Sequence, residues 1–467
     1  MSIQSEINRI IGFRNAALAA VAEKGVTVPQ GAAIDDLPGL IRSIETGGSG
    51  GGGWTRPDDW PDLSAMDYSS EVVYMTYAAD EANGFCCFSF RTSTGSYSAE
   101  IGEIVNGVFT PSATYTISSN SNCQHYFGSA AGGYKVIRVK ALAGRLTGFS
   151  FNKALAFTDN GVQKYGTSQG LLEFYANLGT LTNNDGFFAS ARFLQNVHLG
   201  SVKLPTSIQR MFADCRSLAQ IDAGSWDTSA VQSMAYLFNN CGLRSADIAN
   251  WDTSALTSIS DMFYGSAFEE IDLSDWDVSR CTTLHYFCQN CYWLKKLDVS
   301  GWNTNSMTSF VESFYNCHSL QEIDVSGWST GKVTDMRSFF YNCYILRELD
   351  LSGWDFTNVT NLNSFMNGCQ SISSIIFPAT LKVIGTSAFA NTRNLFEFYF
   401  RSATPPTLSN TNAFGNMTDG GGKKIYVPYS SDHSILNAYK TATNWSTYAS
   451  YIYEDPTYVV SGSGGSN

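Results

Sequence analysis

The stretch from Gly301 to Trp328, GWNTNSMTSFVESFYNCHSLQEIDVSGW, decides the fold because its pattern recurs through the second half of the chain. Six tryptophans stand at steps of 25, 25, 26, 26 and 26 residues: Trp226, Trp251, Trp276, Trp302, Trp328 and Trp354. Fifteen positions after each tryptophan stands a small residue: Cys241, Ser266, Cys291, Cys317, Cys343 and Cys369. Four positions before each stands an aspartate: Asp222, Asp247, Asp272, Asp298, Asp324 and Asp350. Three columns in register indicate a solenoid, in which each unit buries its apolar face against its neighbours.

Each repeat predicts one strand and one short helical segment. In the unit that begins at Trp328, apolar residues recur at helical spacing from Val333 to Phe340. The leucines from Leu346 to Leu351 then follow the pattern L-x-x-L-x-L, which is typical of the strand in leucine-rich repeats. Degenerate copies at Phe187–Leu199 and Ser387–Phe400 extend the array in both directions.

These residues resemble the BspA-type leucine-rich repeats of bacterial surface proteins. The shared unit reads M/L-F-x-x-C-x-x-L-x-x-L/I-D-L/V-S-x-W-D-T-S-x-V-x-x-M, and the resemblance covers Phe187–Ile452. It implies a solenoid fold and a role in surface recognition. It implies no catalytic residues and no cofactor.

The N-terminus predicts an assembly helix. Apolar residues step by four and three positions with one polar interruption at Arg14, and the seam includes Ile3, Ile7, Ile10 and Val21. Isoleucine at both seam positions favours three or four strands in a coiled coil, so we expect a homotrimer. The alternative is an amphipathic helix that packs on its own chain. Residues Met1–Ile44 also resemble the N-terminal segments of tail-fibre and baseplate proteins of phages that infect gut bacteria, which implies other tail proteins as partners.

The chain is therefore expected to be multidomain. Short β-branched and aromatic runs such as EVVYMTY, GFCCFSF and YKVIRVKA indicate an all-β, sandwich-like domain before the repeats. The run KIYVPY predicts a strand and SILNAYKTA a closing helix after them. The predicted parts are a helical oligomerisation segment at 1–45, a Gly-rich linker at 46–53, the sandwich-like domain at 54–164, the repeat solenoid at 165–401, a C-terminal cap at 402–453 and a flexible tail at 454–467.

Composition narrows the possible partners. The chain has 467 residues and a formal net charge of -12. This charge speaks against a nucleic-acid partner, because proteins that bind nucleic acid carry basic stripes. No apolar run reaches the ~20 residues of a membrane span, so we expect no membrane insertion. The start lacks the basic and apolar regions of a secretory signal. We expect a protein made in the host cytoplasm and incorporated into the virion tail.

The columns themselves allow two interpretations each. The cysteine column also accepts Ser266, Ala191 and Thr392, which favours a small buried residue over disulfide or metal chemistry. The tryptophan column could stack on sugars, but its identical recurrence favours packing at a corner of the coil. The aspartate column points away from the sheet, and its charges are satisfied either by neighbouring Ser and Thr groups with water or by a cation such as calcium.

Information about a ligand must lie where the repeats differ. The position after the cysteine column holds Tyr292, His318 and Tyr344 on successive coils, and Trp293 follows the first of these. Exposed aromatic residues grouped in this way suit saccharide stacking or a protein hot spot, so we predict that these four bind a receptor. The alternative is that they cover the start of the strand.

Three functions fit the sequence. The first is a phage tail-fibre or receptor-binding protein that recognises a bacterial surface glycan or protein through its repeats. The second is an adhesin of the bacterium itself. The third is a capsule-degrading enzyme with a carboxylate pair in the sandwich-like domain. No nucleophile elbow, P-loop or H-E-x-x-H motif occurs, so we expect no enzymatic activity.

Overall fold

The structure, a computed structural model, describes residues 60–63, 66–69, 71–78, 85–126, 134–151, 155–159, 162–166, 170–182, 186–415, 417 and 422–460. The chain divides into two compact units. The first comprises Met1–Pro205, Arg210–Asp227 and Asn240–Ala246, and the second comprises Thr206–Gln209, Thr228–Asn239 and Asp247–Asn467. The predicted assembly helix with Ile3, Ile7, Ile10 and Val21, and the linker at 46–53, lie outside the described residues.

The first unit contains twelve described strands. They are β1 Val72–Ala78, β2 Phe85–Thr92, β3 Ser96–Val105, β4 Val108–Ser118, β5 Asn122–Tyr126, β6 Tyr134–Ala141, β7 Leu146–Ser150, β8 Leu155–Asp159, β9 Val162–Gly166, β10 Leu171–Tyr175, β11 Asn196–His198 and β12 Gln220–Ile221. Seven of them form a sheet in the order β12-β11-β10-β1-β6-β3-β4, and β5-β2-β7 form a second sheet. Pairing is antiparallel from β10 to β4 and parallel from β10 to β12, where the first coils of the solenoid join the sheet.

The two sheets of this unit pack face to face through aromatic side chains. Phe90 of β2 and Phe149 of β7 lie 6.5 and 4.7 Å, centroid to centroid, from Phe174 of β10. Phe90 also contacts Tyr97 of β3 at 5.8 Å. All four rings are buried, and burying a ring of this size contributes about 1.5–3 kcal/mol. This is the packing that the short β-rich runs predict.

The repeats form a mostly β solenoid of about 11 turns. In the second unit its strands are short, and with the terminal elements they are β13 Glu270–Asp272, β14 Lys296–Asp298, β15 Ser374–Phe377, β16 Val383–Ile384, β17 Glu397–Phe400, β18 Thr407–Leu408, β19 Lys424–Tyr429 and β20 Ile452–Val459. Strand β13 pairs in parallel with β14, and Lys296 continues to Glu322 as an isolated parallel bridge. The predicted parallel stacking is confirmed, although each strand is shorter than the leucine pattern suggests.

The prediction of a helical segment in each coil is wrong. Where the apolar spacing predicts a helix, the backbone N–H groups of Phe310, Glu312 and Phe314 donate to carbonyls one coil ahead, with Phe314 N reaching Phe339 O at 3.0 Å. Glu312 also has a positive φ of 52°, which a right-handed helix excludes. The segment is a series of tight turns, and its three- and four-residue spacing places apolar side chains inward without i→i−4 bonds.

The C-terminal elements largely match the sequence prediction. Strand β19 covers the run KIYVPY, and the helix α1, Ser434–Thr441, lies in SILNAYKTA. Strands β15-β17-β19-β20 form a parallel sheet in that order. The predicted flexible tail begins too early, because residues 454–459 continue β20 beside β19. The described residues include the 3-10 helices Ala223–Ser225 in the first unit and Trp445–Tyr451 in the second. None of the helices in the described part of the chain has the length and apolar character of a membrane span.

Candidate functional site

Three of the four predicted receptor-binding residues form one column of contacting rings in the second unit, with the planes of Tyr292 and His318 tilted by 54°. The ring centroids of Tyr292 and His318 lie 4.9 Å apart, and those of His318 and Tyr344 lie 4.4 Å apart with planes at 27°. Steps of 26 residues place the three rings on successive coils. All three residues are half-buried, so each ring packs on its neighbours and keeps an accessible edge or face. We call Tyr292, His318 and Tyr344 the aromatic column.

The fourth predicted residue, Trp293, follows Tyr292 on the same coil and is also half-buried. On the other coils the position that carries the aromatic column holds Arg216, Gly242, Ala267 and Gln370. The composition of this position therefore changes along the array, whereas the buried columns stay the same. That difference is expected of a surface that carries ligand specificity.

A second pair of rings lies nearby in sequence, two positions before the cysteine column. Tyr315 and Tyr341 stack at 4.5 Å with planes only 5° apart, and both are half-buried. The sequence analysis did not single out this pair. Its signal is present, because the run Tyr-Asn-Cys occurs at both coils. Each of these two coils thus carries one ring before and one ring after its buried cysteine.

Between these rings and the cysteine column runs an asparagine ladder, which the sequence analysis also missed. Asn342 donates from Nδ2 to Oδ1 of Asn316 at 3.0 Å, and Asn316 donates in the same way to Asn290 at 2.9 Å. The three residues have φ of 55°, 59° and 62°. Asparagine tolerates this left-handed conformation better than most residues. The ladder fixes the backbone immediately before the aromatic column.

The cysteine column consists of buried thiols that bond to the preceding coil. Cys317, Cys343 and Cys369 each donate from Sγ to a carbonyl one coil earlier at 3.1 Å. Burial raises the pKa of the Cys343 thiol well above its usual range, and raises that of Cys369 to about 12. At Thr392 a hydroxyl donates to Phe389 O at 2.7 Å instead. The interpretation as small buried residues is confirmed, because Ala191 is also buried at this position. Where a thiol or hydroxyl is present, it also donates a hydrogen bond.

The tryptophan column is part of the core. Trp302, Trp328 and Trp354 are 1–3% exposed, and their rings stack at 5.8 and 6.4 Å. The indole N–H of Trp354 donates to Val325 O at 2.9 Å, one coil earlier. Rings this deeply buried cannot stack on a sugar, so the prediction of corner packing is confirmed.

Four members of the aspartate column, Asp272, Asp298, Asp324 and Asp350, are held by the serine two positions later. Asp272, Asp298 and Asp324 each accept bonds at Oδ1 from both the N–H and the hydroxyl of that serine, for example Ser326 N at 3.0 Å and Ser326 Oγ at 2.7 Å. The side-chain bond from Ser326, with its backbone bond, lowers the pKa of Asp324 below its ordinary value. The predicted role of neighbouring serines is confirmed.

The outward face of these strands forms an acidic groove of about 480 Å³. Its lining includes Lys296 and the carboxylates of Asp298, Glu322, Asp324, Glu348 and Asp350. Neighbouring charges of the aspartate column lie on adjacent strands with no residue between them, because Asp272 and Asp298 are directly paired in register. Within the described residues, no group of three or more His, Cys, Asp or Glu side chains has a geometry that could hold a metal ion.

At the C-terminal sheet the outward column changes from acidic to aromatic, a feature that the sequence analysis missed. Tyr399 and Tyr426 stack at 4.8 Å with planes at 12°, and Tyr453 follows at 6.2 Å. The strand register places Ile376 next to Tyr399, and Ile376 and Tyr453 are 43% and 45% exposed. The signal is the alternation in EFYF and KIYVPY, which points one aromatic residue of each strand outward.

Comparison with known proteins concerns mainly the repeats. A family model described as a Mycoplasma protein of unknown function, DUF285, matches residues 176–270 and 265–378. A leucine-rich repeat protein from Bacteroides ovatus ATCC 8483, with a crystal structure at 1.19 Å, is 14% identical to this chain at a TM-score of 0.23, over 65% of this chain and 98% of that one. No curated protein matches the chain. Neither match bears on a phage context, which stays a prediction.

Proposed function

We propose that this protein is a structural recognition protein that binds a bacterial surface receptor, a glycan or a protein, through the face of its repeats that carries the aromatic column. The observation that carries the proposal is the contact of the Tyr292, His318 and Tyr344 rings, with centroids 4.9 and 4.4 Å apart, on three successive coils. The rings are only half-buried, whereas the tryptophan and cysteine columns of the same coils are fully buried.

The chemistry of this face favours recognition over catalysis. Tyrosine and tryptophan combine a large apolar area with a polar group and lose little conformational entropy on binding. A column of rings held by the asparagine ladder is rigid before the ligand arrives, so a smaller ordering cost opposes binding. A sugar chain or an extended peptide could contact several coils at once.

Binding to treated cells tests the proposal. Purified, fluorescently labelled protein is incubated with intact cells of gut bacteria, with cells whose glycans are oxidised by periodate, and with cells shaved by protease. We expect saturable binding to a subset of strains, which one of the two treatments removes. Binding that is absent from every strain, or that survives both treatments without change, argues against a surface receptor.

The finer form of the proposal is a phage tail fibre. Its support is the resemblance of Met1–Ile44 to the N-terminal segments of tail-fibre and baseplate proteins. Gold-labelled antibody against the repeats should decorate the tails of virions. Decoration of the bacterial envelope in uninfected cells instead identifies an adhesin, and release of reducing sugar from purified capsule identifies a capsule-degrading enzyme.

A further inference from the structure

The first unit contains an open cleft of about 580 Å³ with an unusual lining. It presents two arginines, Arg91 and Arg145, among hydroxyl side chains that include Thr92, Ser119, Thr147 and Thr182. Among the described residues that line it, none is an aspartate or glutamate. The whole chain has 41 acidic and 29 basic residues, so a cleft whose described charged side chains are both arginines departs from its general composition.

We propose that this cleft binds the acidic group of a saccharide, with the two guanidinium groups on the anion and the hydroxyls on the sugar. This inference goes beyond the receptor role of the aromatic column and rests on different residues. Arginine binds carboxylates and phosphates through paired N–H···O bonds, which other cations cannot reproduce.

An irregularity in strand pairing and a side-chain hydrogen bond position Arg91. The pairing of β2 with β7 shifts register between Arg91 and Thr92, so the regular alternation of side chains along the strand is interrupted at Arg91. The Arg91 Nε then donates to Oδ1 of Asn120 at 3.3 Å. Asn120 has a positive φ of 62°, which holds its side chain at the tip of the β4–β5 turn. Arg91 is half-buried, so its guanidinium is oriented before a ligand binds.

Arg145 is placed by a close approach of two loops. Its N–H donates to Ser93 Oγ at 3.1 Å, and Ser93 N–H donates to the Arg145 carbonyl at 2.9 Å. The preceding residue must be glycine, because a Cβ on Gly144 would lie 2.1 Å from Ser93 Oγ, and its φ is +68°. The Arg145 residue itself is exposed, so its side chain can close on an anion.

The lining also selects the rest of the ligand. Its described residues include no aromatic side chain, so they offer no surface for stacking a nucleobase. Hydroxyl groups both donate and accept, which matches the hydroxyls of a sugar ring. An open cleft suits one or two residues at the end or along the side of a longer acidic chain.

Calorimetric titration of the full-length protein tests this inference with three probes. Trigalacturonate supplies carboxylates, its methyl ester removes the charge but keeps the sugar, and glucose 6-phosphate supplies a phosphate. We expect at least one acidic probe to bind, the methyl ester to bind at least about tenfold more weakly, and sodium chloride to weaken binding. The tighter of the two acidic probes identifies the acidic group.

Variants locate the binding. Arg91→Gln and Arg145→Gln should each weaken the affinity for the acidic probe by about tenfold or more, as expected for loss of a charged hydrogen bond. Arg347→Gln, at an exposed arginine of the second unit, should leave it unchanged. Because Arg145 is exposed, its variant should fold, and near-ultraviolet circular dichroism verifies this. The inference is overturned if neither acid binds, if the methyl ester binds equally well, or if neither Arg91→Gln nor Arg145→Gln weakens the binding of the acidic probe. Adsorption to cells through the aromatic column is not required for any of these results.

Discussion

The thiol of Cys343 donates to the carbonyl of Phe314, one coil earlier, at 3.1 Å. The same carbonyl also accepts the N–H of Cys317 within its own coil at 3.3 Å. Each buried carbonyl of this row thus serves its own turn and the next coil. The cysteine column is a line of hydrogen-bond donors between coils rather than a set of redox groups.

Substitution at Cys317 should follow donor chemistry. Its thiol donates to Cys288 O at 3.1 Å, and a hydroxyl can make the same bond. We expect Cys317→Ser to fold with a loss of about 1 kcal/mol, and Cys317→Ala to lose about 1–3 kcal/mol because it removes both the donor and part of the packing. Chemical unfolding followed by circular dichroism measures the difference. A serine variant less stable than the alanine variant would show that apolar packing alone matters. Mass spectrometry of protein from a reducing cytoplasm should also find the thiols of the cysteine column free. Stoichiometric disulfides between coils would refute this interpretation.

The asparagine ladder predicts that glycine is tolerated better than alanine at Asn316, although alanine is usually the more stabilising residue. Asn316→Gly removes two side-chain bonds but tolerates the φ of 59°, whereas Asn316→Ala also strains the left-handed backbone. We expect the alanine variant to be less stable than the glycine variant by about 1 kcal/mol. The measurement is the free energy of unfolding of both variants. An alanine variant as stable as the glycine variant would mean that the positive φ is not required there.

Acid titration tests the aspartate column. The two hydrogen bonds from Ser326 lower the folded-state pKa of Asp324 below its ordinary value of 3.8. They therefore stabilise the fold at pH values above 3.8. The contribution is lost as the pH falls through the lowered pKa. Ser326→Ala removes the hydroxyl donor and should raise the pKa of Asp324 towards 3.8, as followed by carboxyl NMR. Ser319→Ala is the control on the same coil. A pKa above 3.8 in the unaltered protein would show that repulsion within the column outweighs these bonds.

The predicted coiled-coil seam implies a defined oligomer. Full-length protein should be a trimer, and a fragment that starts at Trp54 should be a monomer, because Ile3, Ile7, Ile10 and Val21 all precede it. Light scattering gives both masses. A monomeric full-length protein, or a trimeric fragment, would be incompatible with assembly through this seam.

The sequence predicts those features that depend on local pattern or on exact repetition. The strand in KIYVPY and the helix in SILNAYKTA follow from local periodicity, and the buried columns follow from the repeat. The prediction of helical segments was wrong because the spacing of inward-facing residues does not distinguish a helix from turns that bond to the next coil. The N–H of Phe314, for example, donates to the carbonyl of Phe339. The recurring asparagine before the cysteine, with its tolerance of positive φ, is the signal that favours turns.

The binding surfaces were predictable to different degrees. The aromatic column could be found because it follows a fixed repeat position, and the structure brings Tyr292, His318 and Tyr344 together. The arginine cleft could not, because Arg91 and Arg145 belong to separate strands and loops without a common motif. Only the pairing of β2 with β7, and the bulge within it, brings those segments to one cleft.

The most direct test of the central claim is adsorption by a variant of the receptor-binding face. Tyr292, Trp293, His318 and Tyr344 are changed together to serine, and Phe193→Ser, at a 45% exposed ring of an early coil, is the matched control. Circular dichroism and light scattering verify that both variants keep the fold and the oligomeric state. We predict that the quadruple variant no longer adsorbs to cells that bind the unaltered protein, while the control adsorbs normally. Undiminished adsorption by a well-folded quadruple variant would contradict the account and place the receptor site elsewhere on the protein.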